Sequence, residues 1–380
     1  MFAIEMLPAY QGDCLWIEYG EPANPSRILI DGGMVGTTEH ILERIRRVAT
    51  DGDGTCHLEL MVLSHVDADH VEGLVKLLGT RDVPLSIGDI WFNGYHHMPD
   101  PSASRDDEFL SATQGEFLAA LIRERGLPWN AAFGGDTVYA PRPEKGALPR
   151  ATLPGGMELI VVSPGFEELL KMSRRWDDEL EDQGLLHATH EEMMEALGRD
   201  RRLAPDDDFL SDEELDVEAL LSDRKRRDSS AANGSSIGLL GRFDGKSCLF
   251  SGDAYWQVLR DSARRLAQEE GVERVPLDAF KLPHHGSRNN LNDELLALLD
   301  CRSFLVSTNG DRFKHPDSEA LAHLLAGSWR PTPADDRPVQ LVFNYRTEFN
   351  EGWDDDALRA RWNYRTVYPD AGVEGLRVEL

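Results

Sequence analysis

Two histidines and two aspartates occur within six residues, in the segment His65-Val66-Asp67-Ala68-Asp69-His70. Imidazole nitrogens and carboxylate oxygens are protein groups that bind divalent cations such as Zn²⁺ and Mn²⁺. On a loop that leaves a strand, His65 and Asp67 face one cation while Asp69 and His70 face a second, at the roughly 3.5 to 4 Å spacing of two-metal hydrolases. The segment therefore predicts a dinuclear metal site. The simpler alternative is a solvated acidic loop in which Asp69 caps a helix.

Two later segments place candidate ligands directly after an apolar stretch. Cys248-Leu249-Phe250-Ser251-Gly252 leads into Asp253, whose two carboxylate oxygens are able to bridge two cations. Phe280-Lys281-Leu282-Pro283 leads into the adjacent pair His284-His285. Because neighbouring histidines on a tight loop rarely chelate one ion together, we expect His285 to bind metal and His284 to contact the substrate or a ligand. Taken alone, each segment is also compatible with an ordinary polar turn.

A fourth polar segment, residues 307–316, contains Arg312, Lys314 and His315. We expect His315 to protonate a leaving group or to hold a phosphate. Lys314 or Arg312 then neutralises the phosphate charge. A surface loop with a solvated histidine is the alternative interpretation.

Each of the four segments follows an apolar run that has the length and composition of a β-strand. These runs are residues 58–63, 247–251, 279–282 and 303–307. Apolar residues then recur at helical spacing after the first segment, at residues 71–78. Strands and helices alternate through both halves of the chain, which predicts a layered α/β fold with its chemistry on the loops that follow the strands.

The composition is that of an acidic globular protein. The 380 residues include 68 Asp and Glu against 40 Lys and Arg, a formal net charge of -28. Broad coating of nucleic acid or anionic membrane is excluded, because such binding requires Lys and Arg along the contact. A polyanion must be bound locally, and the cations expected beside the metal site are Lys281, Arg288, Arg312 and Lys314.

The sequence shows no apolar run near the roughly 20 residues of a membrane span. Residues 1–6 lack the basic start and the apolar core of a signal peptide, so we expect a cytoplasmic protein without membrane contact. The four cysteines are scattered without a CxxC pair and are expected to be buried, reduced thiols.

Acidic clusters dominate residues 167–228, which end in Arg224-Lys225-Arg226-Arg227. We expect this segment to be a helical or partly disordered insert in a single domain that spans residues 1–380. It is either a solvated decoration or a segment that folds over the metal face and keeps the enzyme inactive. In the second case a protease acting at the basic run, or a regulatory protein, releases it. Residues 326–380 are expected to be a C-terminal extension that packs on the same domain.

The order of these motifs resembles the metallo-β-lactamase superfamily, and within it the hydrolase domain of ComEC-type competence proteins and their soluble relatives. The matching segments, from about residue 1 to 325, are Gln11-Gly12-Asp13, Ile30-Asp31-Gly32-Gly33, residues 64–70, Asn233-Gly234-Ser235-Ser236-Ile237, Ser251-Gly252-Asp253 and residues 282–287. The resemblance implies a four-layer αββα sandwich with a dinuclear centre at one edge. The resemblance implies that His65 and Asp67 hold a first ion and that Asp69, His70 and either His285 or His284 hold a second. It also implies that Asp253 bridges the two ions.

The first metal site departs from that resemblance at two positions. Many superfamily members complete it with a further histidine before the bridging aspartate, whereas this chain has Asn233 to Ser236 in that region. We expect Asn233 and Ser236 to face substrate or water instead, and Ser287 and Lys314 to contact substrate. Asp67 stands where the better-known zinc hydrolases carry a histidine. Because a carboxylate is a harder ligand, this favours Mn²⁺ or Mg²⁺, while the Irving–Williams order keeps Zn²⁺ open.

These features together predict a metal-dependent phosphodiesterase or nuclease in which Asp69, His284 and His315 are catalytic. Two divalent cations lower the pKa of a bridging water and bind a phosphoryl oxygen, which suits attack on DNA, RNA or a nucleotide-like diester. A hydrolase of small esters, lactones or β-lactams is one alternative. A module regulated by a partner protein, with a metal site of secondary importance, is the other.

Overall fold

The computed structural model describes residues 1–99, 112–182, 228–329 and 337–380. The strands in these ranges are β1 (Phe2–Met6), β2 (Leu15–Tyr19), β3 (Ser26–Ile30), β4 (Cys56–Leu58), β5 (Leu60–Val62), β6 (Leu85–Ile87), β7 (Ile90–Trp91), β8 (Arg150–Thr152), β9 (Glu158–Ser163), β10 (Gly238–Phe243), β11 (Lys246–Phe250), β12 (Val275–Pro276), β13 (Ala279–Lys281), β14 (Leu299–Asp300), β15 (Ser303–Val306), β16 (Val339–Phe343), β17 (Tyr364–Val367) and β18 (Leu376–Glu379). The α-helices in the same ranges are α1 (Thr38–Asp51), α2 (Ala68–Gly79), α3 (Ala112–Glu124), α4 (Phe166–Asp182), α5 (Ala231–Gly234), α6 (Trp256–Glu270), α7 (Asp293–Leu296), α8 (Ser318–Ala326) and α9 (Asp356–Trp362).

Two large sheets organise these strands. The first has six strands in the order β18-β1-β2-β3-β5-β7, and the second has eight in the order β17-β16-β15-β13-β11-β10-β9-β8. In the second sheet β11, β13, β15, β16 and β17 run parallel. Because the carboxyl ends of parallel strands lie at one edge of a sheet, the loops after β11, β13 and β15 are brought together.

The two sheets share one cluster of buried side chains, which includes Ile17 and Val62 of the first sheet and Leu239 and Leu305 of the second. Alternate residues of the same strands point away from this cluster. Met61, for example, packs with α1, α2 and α3 on the other face of the first sheet. A third cluster joins the second sheet to α6, α7 and α8. Strands buried on both faces explain why the sequence shows nearly continuous apolar runs at these positions.

The fold is a mixed α/β one with several sheets, as the alternation of strands and helices predicts. One predicted strand is divided in two: within residues 58–63, β4 ends at Leu58, where it pairs with β6, and β5 begins at Leu60 in the first sheet. The predicted helix at 71–78 begins three residues earlier, at Ala68. Asp69 and His70 therefore lie in the first turn of α2 and do not cap it.

The C-terminal segment contributes strands to both large sheets. β16 and β17 extend the parallel part of the second sheet, while β18 pairs with β1 at the edge of the first. In the predicted insert at 167–228, α4 occupies the start, and residues 183–227, including the basic run 224–227, lie outside the described residues. Within the described ranges, none of the helices combines the length and apolar character that membrane crossing requires. All four cysteines are buried and unpaired, as predicted.

Candidate metal centre

The carboxylate of Asp253 lies among three buried histidines that come from separate loops. Its oxygens are 3.5 Å from Nε2 of His70, 3.8 Å from Nε2 of His285 and 3.9 Å from Nε2 of His65. The loop after β5 supplies His65 and the first turn of α2 supplies His70, whereas Asp253 and His285 follow β11 and β13. The strand ends therefore bring together four of the six residues predicted to bind metal.

The facing nitrogens of the three histidines have no hydrogen-bond partner. Among the described residues, none forms a hydrogen bond with Nε2 of His65, His70 or His285, or with Oδ1 of Asp253, although these atoms are buried. Buried polar atoms are normally satisfied, and leaving them unpaired costs about 1 to 3 kcal/mol each. A cation between these atoms removes that cost. The donor set therefore fits bound metal.

The opposite nitrogen of each ring is held by a neighbouring group. Nδ1 of His70 is 2.8 Å from Oδ2 of Asp31, and Nδ1 of His285 is 2.9 Å from the carbonyl oxygen of Ser307. Nδ1 of His65 is 3.1 Å from Oγ of Ser64. A proton on Nδ1 of His70 and His285 leaves Nε2 with a free lone pair that points at Asp253, which is the usual arrangement of metal-binding histidines.

Asp67 and Asp69 lie on different sides of this cluster. Oδ2 of Asp67 is 3.5 Å from Nε2 of His65, whereas Oδ2 of Asp69 is 3.6 Å from Nε2 of His285. The contacts thus divide into a group around His65 and a group around His285, and Asp253 contacts both. The assignment of one ion to each of these groups stays a prediction.

Asp13 adds a further carboxylate to the centre. Ligand atoms of Asp13, His70, Asp253 and His285 all lie within 4.8 Å of one another, and all four residues are buried. Oδ2 of Asp13 accepts a hydrogen bond of 2.5 Å from Nζ of Lys281, which is completely buried. Because this ammonium already neutralises Asp13, we place Asp13 beside His285, at 3.3 Å from its Nδ1, as a partner of that ring.

The electrostatics of the centre favour positive charge next to the carboxylates. Burial raises the pKa of Asp253, but His285 and His70 outweigh burial and hold that pKa well below its usual range. Burial opposes the protonated form of His285, yet Asp253 and Asp13 raise the pKa of His285 to about 10. For Asp13, burial is outweighed by Lys281 and His285, so its pKa is about 2. Divalent cations meet the same demand without protons on the histidines.

Two glycines allow the loops to approach this closely. A Cβ on Gly12 would lie 1.8 Å from the backbone oxygen of Asp69, so a larger residue would displace the first turn of α2. Gly252 has a φ of +50°, and a Cβ there would lie 2.9 Å from Cβ of Ser64. Both contacts set the position of Asp69 and Asp253 relative to the histidines.

No family model matches the chain, and no curated protein matches it. The solved structures that are similar to it include two of CmlA. CmlA, a diiron beta-hydroxylase from Streptomyces venezuelae, has 14% sequence identity and a TM-score of 0.37, and a mutant of the CmlA beta-hydroxylase has 11% identity and a TM-score of 0.38. Each match covers 100% of this chain and 54% of the solved chain, so the chain spans about half the length of these structures. Likeness at this level carries no functional argument, and the site itself must supply one.

His284 turns away from His285 and faces the outer side of the centre. Both residues have positive φ angles, +48° and +54°, and their rings are nearly perpendicular at 77°. Nε2 of His284 is 3.8 Å from Asp253, and Nδ1 is 3.0 Å from Oδ1 of Asn290 and 3.3 Å from Oδ2 of Asp228. His285 is buried, while the His284 side chain is 23% exposed. His285 is therefore the more buried of the two histidines, and its role as ligand and that of His284 as a substrate contact stay predictions.

The remaining predicted site residues occupy different environments. The ring of His315 is 5.3 Å from that of His284, and Asn233 Nδ2 lies 3.2 Å from Nδ1 of His284. Ser236 is completely buried and accepts a hydrogen bond from the backbone N–H of Asp253. Ser287 is buried as well, and Lys314 is exposed on the loop before His315. Substrate contacts by the two serines stay predictions.

Sequence reasoning assigns no individual role to Asp13, Asp31 or Asp228, although all three contact histidines of the centre. Asp31 directly follows the apolar strand β3, and Asp253 comes shortly after the apolar strand β11, so an aspartate at a strand end is a usable signal. Asp13 belongs to the Gln-Gly-Asp motif. The sequence around Asp228 does not indicate a role for it, because its contact with His284 joins residues 56 positions apart in sequence.

Proposed function

We propose that the protein is a hydrolase of phosphodiesters with a dinuclear metal centre, and that its fold is the αββα sandwich of the metallo-β-lactamase superfamily, with a resemblance in its motifs to the ComEC-type hydrolase domains. The observation that carries the proposal is the convergence of three unsatisfied Nε2 atoms on the carboxylate of Asp253. Such a donor set supports metal binding, since each buried nitrogen is destabilising unless a cation or a proton satisfies it.

The proposed ligands follow the two groups of contacts. His65 and Asp67 would hold a first ion, Asp69, His70 and His285 would hold a second, and Asp253 would serve both. When bound, two such ions activate a water molecule and stabilise negative charge on a phosphoryl oxygen. Zn²⁺ and Mn²⁺ both suit this mixture of imidazole and carboxylate, and Mg²⁺ becomes a candidate because carboxylates contribute half of the ligands.

The chain's own groups supply the rest of the chemistry. His284 is partly exposed beside Asp253, and its Nδ1 is held by Asn290 and Asp228, so its Nε2 is oriented for proton transfer to a leaving group. Burial lowers the pKa of His284, but Asp253 and Asp228 raise it above the usual value overall. His315 packs against His284 and is hydrogen-bonded to Asp317 at 3.1 Å, which places a second imidazole at the same side.

A metal and substrate series tests the proposal. Metal-free protein is loaded with Mn²⁺, Mg²⁺ or Zn²⁺ and assayed on bis-p-nitrophenyl phosphate, single-stranded DNA, duplex DNA and RNA, with a small ester and a lactone as comparison. We expect hydrolysis of at least one diester, abolished by Asp253→Ala and retained by Asp370→Ala, which changes an exposed aspartate of a surface loop. Ester or lactone hydrolysis without any diester hydrolysis would instead support the small-ester alternative.

A further inference from the structure

An exposed aromatic side chain lies at the outer side of the metal centre, on the loop that follows β15. In this loop, residues 309–317, Phe313 is 46% exposed. Its ring lies 6.2 Å from that of His315 at an angle of 27°, and His315 in turn lies 5.3 Å from His284. A row of three rings therefore leads from the carboxylate of Asp253 to solvent. A single exposed apolar side chain is ordinary on a protein surface, so it is the position of Phe313 beside these two histidines that marks it.

A second loop with an exposed aromatic residue is joined to the 309–317 loop. The backbone N–H of Asn309 donates a 2.8 Å hydrogen bond to the carbonyl oxygen of Tyr10, and Tyr10 is 44% exposed. Tyr10 is also close to the centre along the chain, because Asp13 contacts His285. The two loops thus form one rim of the site, and each presents an aromatic ring to solvent.

Exposed cations accompany Phe313 in a strongly acidic protein. Arg312 and Lys314 flank it in sequence and are both exposed, and the Arg312 guanidinium lies 5.1 Å from the centre of the Phe313 ring. Lys281, the other cation expected to meet a polyanion, is instead completely buried against Asp13. Among the described residues, the exposed cations beside the aromatic rings are therefore Arg312 and Lys314, in a loop that also carries Asp311 and Asp317.

We infer that the 309–317 loop is a nucleobase subsite: Phe313 stacks on an unpaired base, and Arg312 and Lys314 bind its phosphates. The inference rests on the proposed phosphodiesterase function and names its substrate class, a nucleotide or single-stranded nucleic acid. Aromatic rings interleaved with cations are the usual means of binding unpaired bases, whereas the bases of a duplex are already stacked on each other. The small number of cations fits a short contact and disfavours a long polyanion path.

Ligand binding isolates the contribution of the base. Thymidine 5′-monophosphate and 2-deoxyribose 5-phosphate carry the same sugar and phosphate, but only the first has a base, and neither is a diester that turnover would consume. Calorimetric titration of the Mn²⁺-loaded full chain should show thymidine 5′-monophosphate binding about 5- to 150-fold more tightly, as expected for one stacked base. Hexyl phosphate, which is apolar but lacks a base, should bind no more tightly than the sugar phosphate.

Three variants locate the effect. Phe313→Leu should remove the preference for thymidine 5′-monophosphate, whereas Phe313→Tyr keeps an aromatic face and should retain it. Phe166→Leu is the matched control, because Phe166 is 44% exposed and lies at the start of α4. Equal affinity of the wild-type chain for thymidine 5′-monophosphate and 2-deoxyribose 5-phosphate would overturn the inference. A preference that is unchanged in Phe313→Leu would overturn it as well, and so would an equal loss of affinity for both ligands in that variant.

The two proposals fail separately. Hydrolysis of bis-p-nitrophenyl phosphate involves no base, so activity on it without base preference would refute the subsite and leave the hydrolase intact. A base preference that depends on Phe313, in a chain that hydrolyses no diester with any metal, would refute the proposed hydrolase activity and leave the nucleobase subsite intact. Tight binding of hexyl phosphate that is lost in Phe313→Leu would indicate that the rim binds alkyl chains, and it would overturn the nucleobase inference.

Discussion

His70 shows how one side chain is prepared for a metal ion. Asp31 accepts from both the backbone N–H and the hydroxyl of Ser64 at 2.7 Å, and it also contacts Nδ1 of His70. Ser64 thus holds the Asp31 carboxylate in the position from which it orients the His70 imidazole. The histidine itself is predictable from the sequence, because it lies in a dense ligand motif. Its support is not predictable from spacing alone, because Asp31 is 39 residues away.

We predict that Asp31→Asn lowers metal affinity about 10- to 100-fold, since residues that support a ligand usually contribute that much. Competition with a chromophoric chelator measures the affinity. Asp89→Asn is the control, because Asp89 is also buried and accepts hydrogen bonds from Trp91 and Ala131 away from the centre. It should lower stability without changing affinity. Equal metal affinity in Asp31→Asn and wild type would remove Asp31 from this role.

Lys281 is the residue whose sequence interpretation changes most. Its position beside His284 and His285 suggests a cation for substrate, but its side chain is completely buried and pairs with Asp13, 268 residues away. A local pattern shows that a lysine lies on a strand. Only the packing of the two sheets shows which face the lysine occupies.

Lys281→Met should destabilise the metal-free protein by about 3 to 5 kcal/mol, because it leaves the Asp13 carboxylate buried without a partner. Urea denaturation measures the loss. Lys246→Met removes an exposed pair with Asp278 and should cost no more than about 1 kcal/mol. Adding Asp13→Asn to Lys281→Met should restore part of the stability. Similar losses of stability for Lys281→Met and Lys246→Met would show that the buried pair contributes no more to stability than the exposed pair.

At the scale of elements, the strands that precede each motif are predictable, since each is a short apolar run that ends in polar residues. β13 and β15 fall within the runs expected from the sequence, and β11 begins one residue before its expected run. The early start of α2 and the division at Glu59 are less predictable. The division depends on pairing partners elsewhere in the chain, β4 with β6 and β5 with β3 and β7.

The contact between the loop at Gly12 and α2 gives a prediction at this scale. Gly12→Ala places a Cβ against the Asp69 backbone oxygen, so it should cost about 1 to 3 kcal/mol and weaken metal binding by displacing Asp69. Thermal denaturation and chelator competition measure the two effects. Gly79→Ala, where a Cβ meets nothing within 4 Å, should change neither to a comparable extent. Unaltered metal affinity in Gly12→Ala would mean that Asp69 does not depend on this contact.

At the scale of the whole molecule, a net charge of -28 is combined with a buried centre rich in carboxylates. Asp13, Asp31 and Asp253 are each at most 3% exposed. Burying so much negative charge is costly unless cations compensate it, and Lys281 compensates only Asp13. The acidity of the composition is therefore compatible with the proposed function. Under that proposal the buried carboxylates make the centre dependent on metal, and a polyanionic substrate is expected to contact the rim that carries Arg312 and Lys314.

The metal-to-protein ratio of the purified full chain tests the central claim most directly. After exposure to Mn²⁺ or Zn²⁺ and dialysis, elemental analysis should give about two ions per chain for the wild type. Asp253→Ala should lose both, because it removes the shared ligand, while Asp370→Ala should keep them. A wild-type chain without divalent metal, or an Asp253→Ala chain with unchanged metal content, would contradict the account.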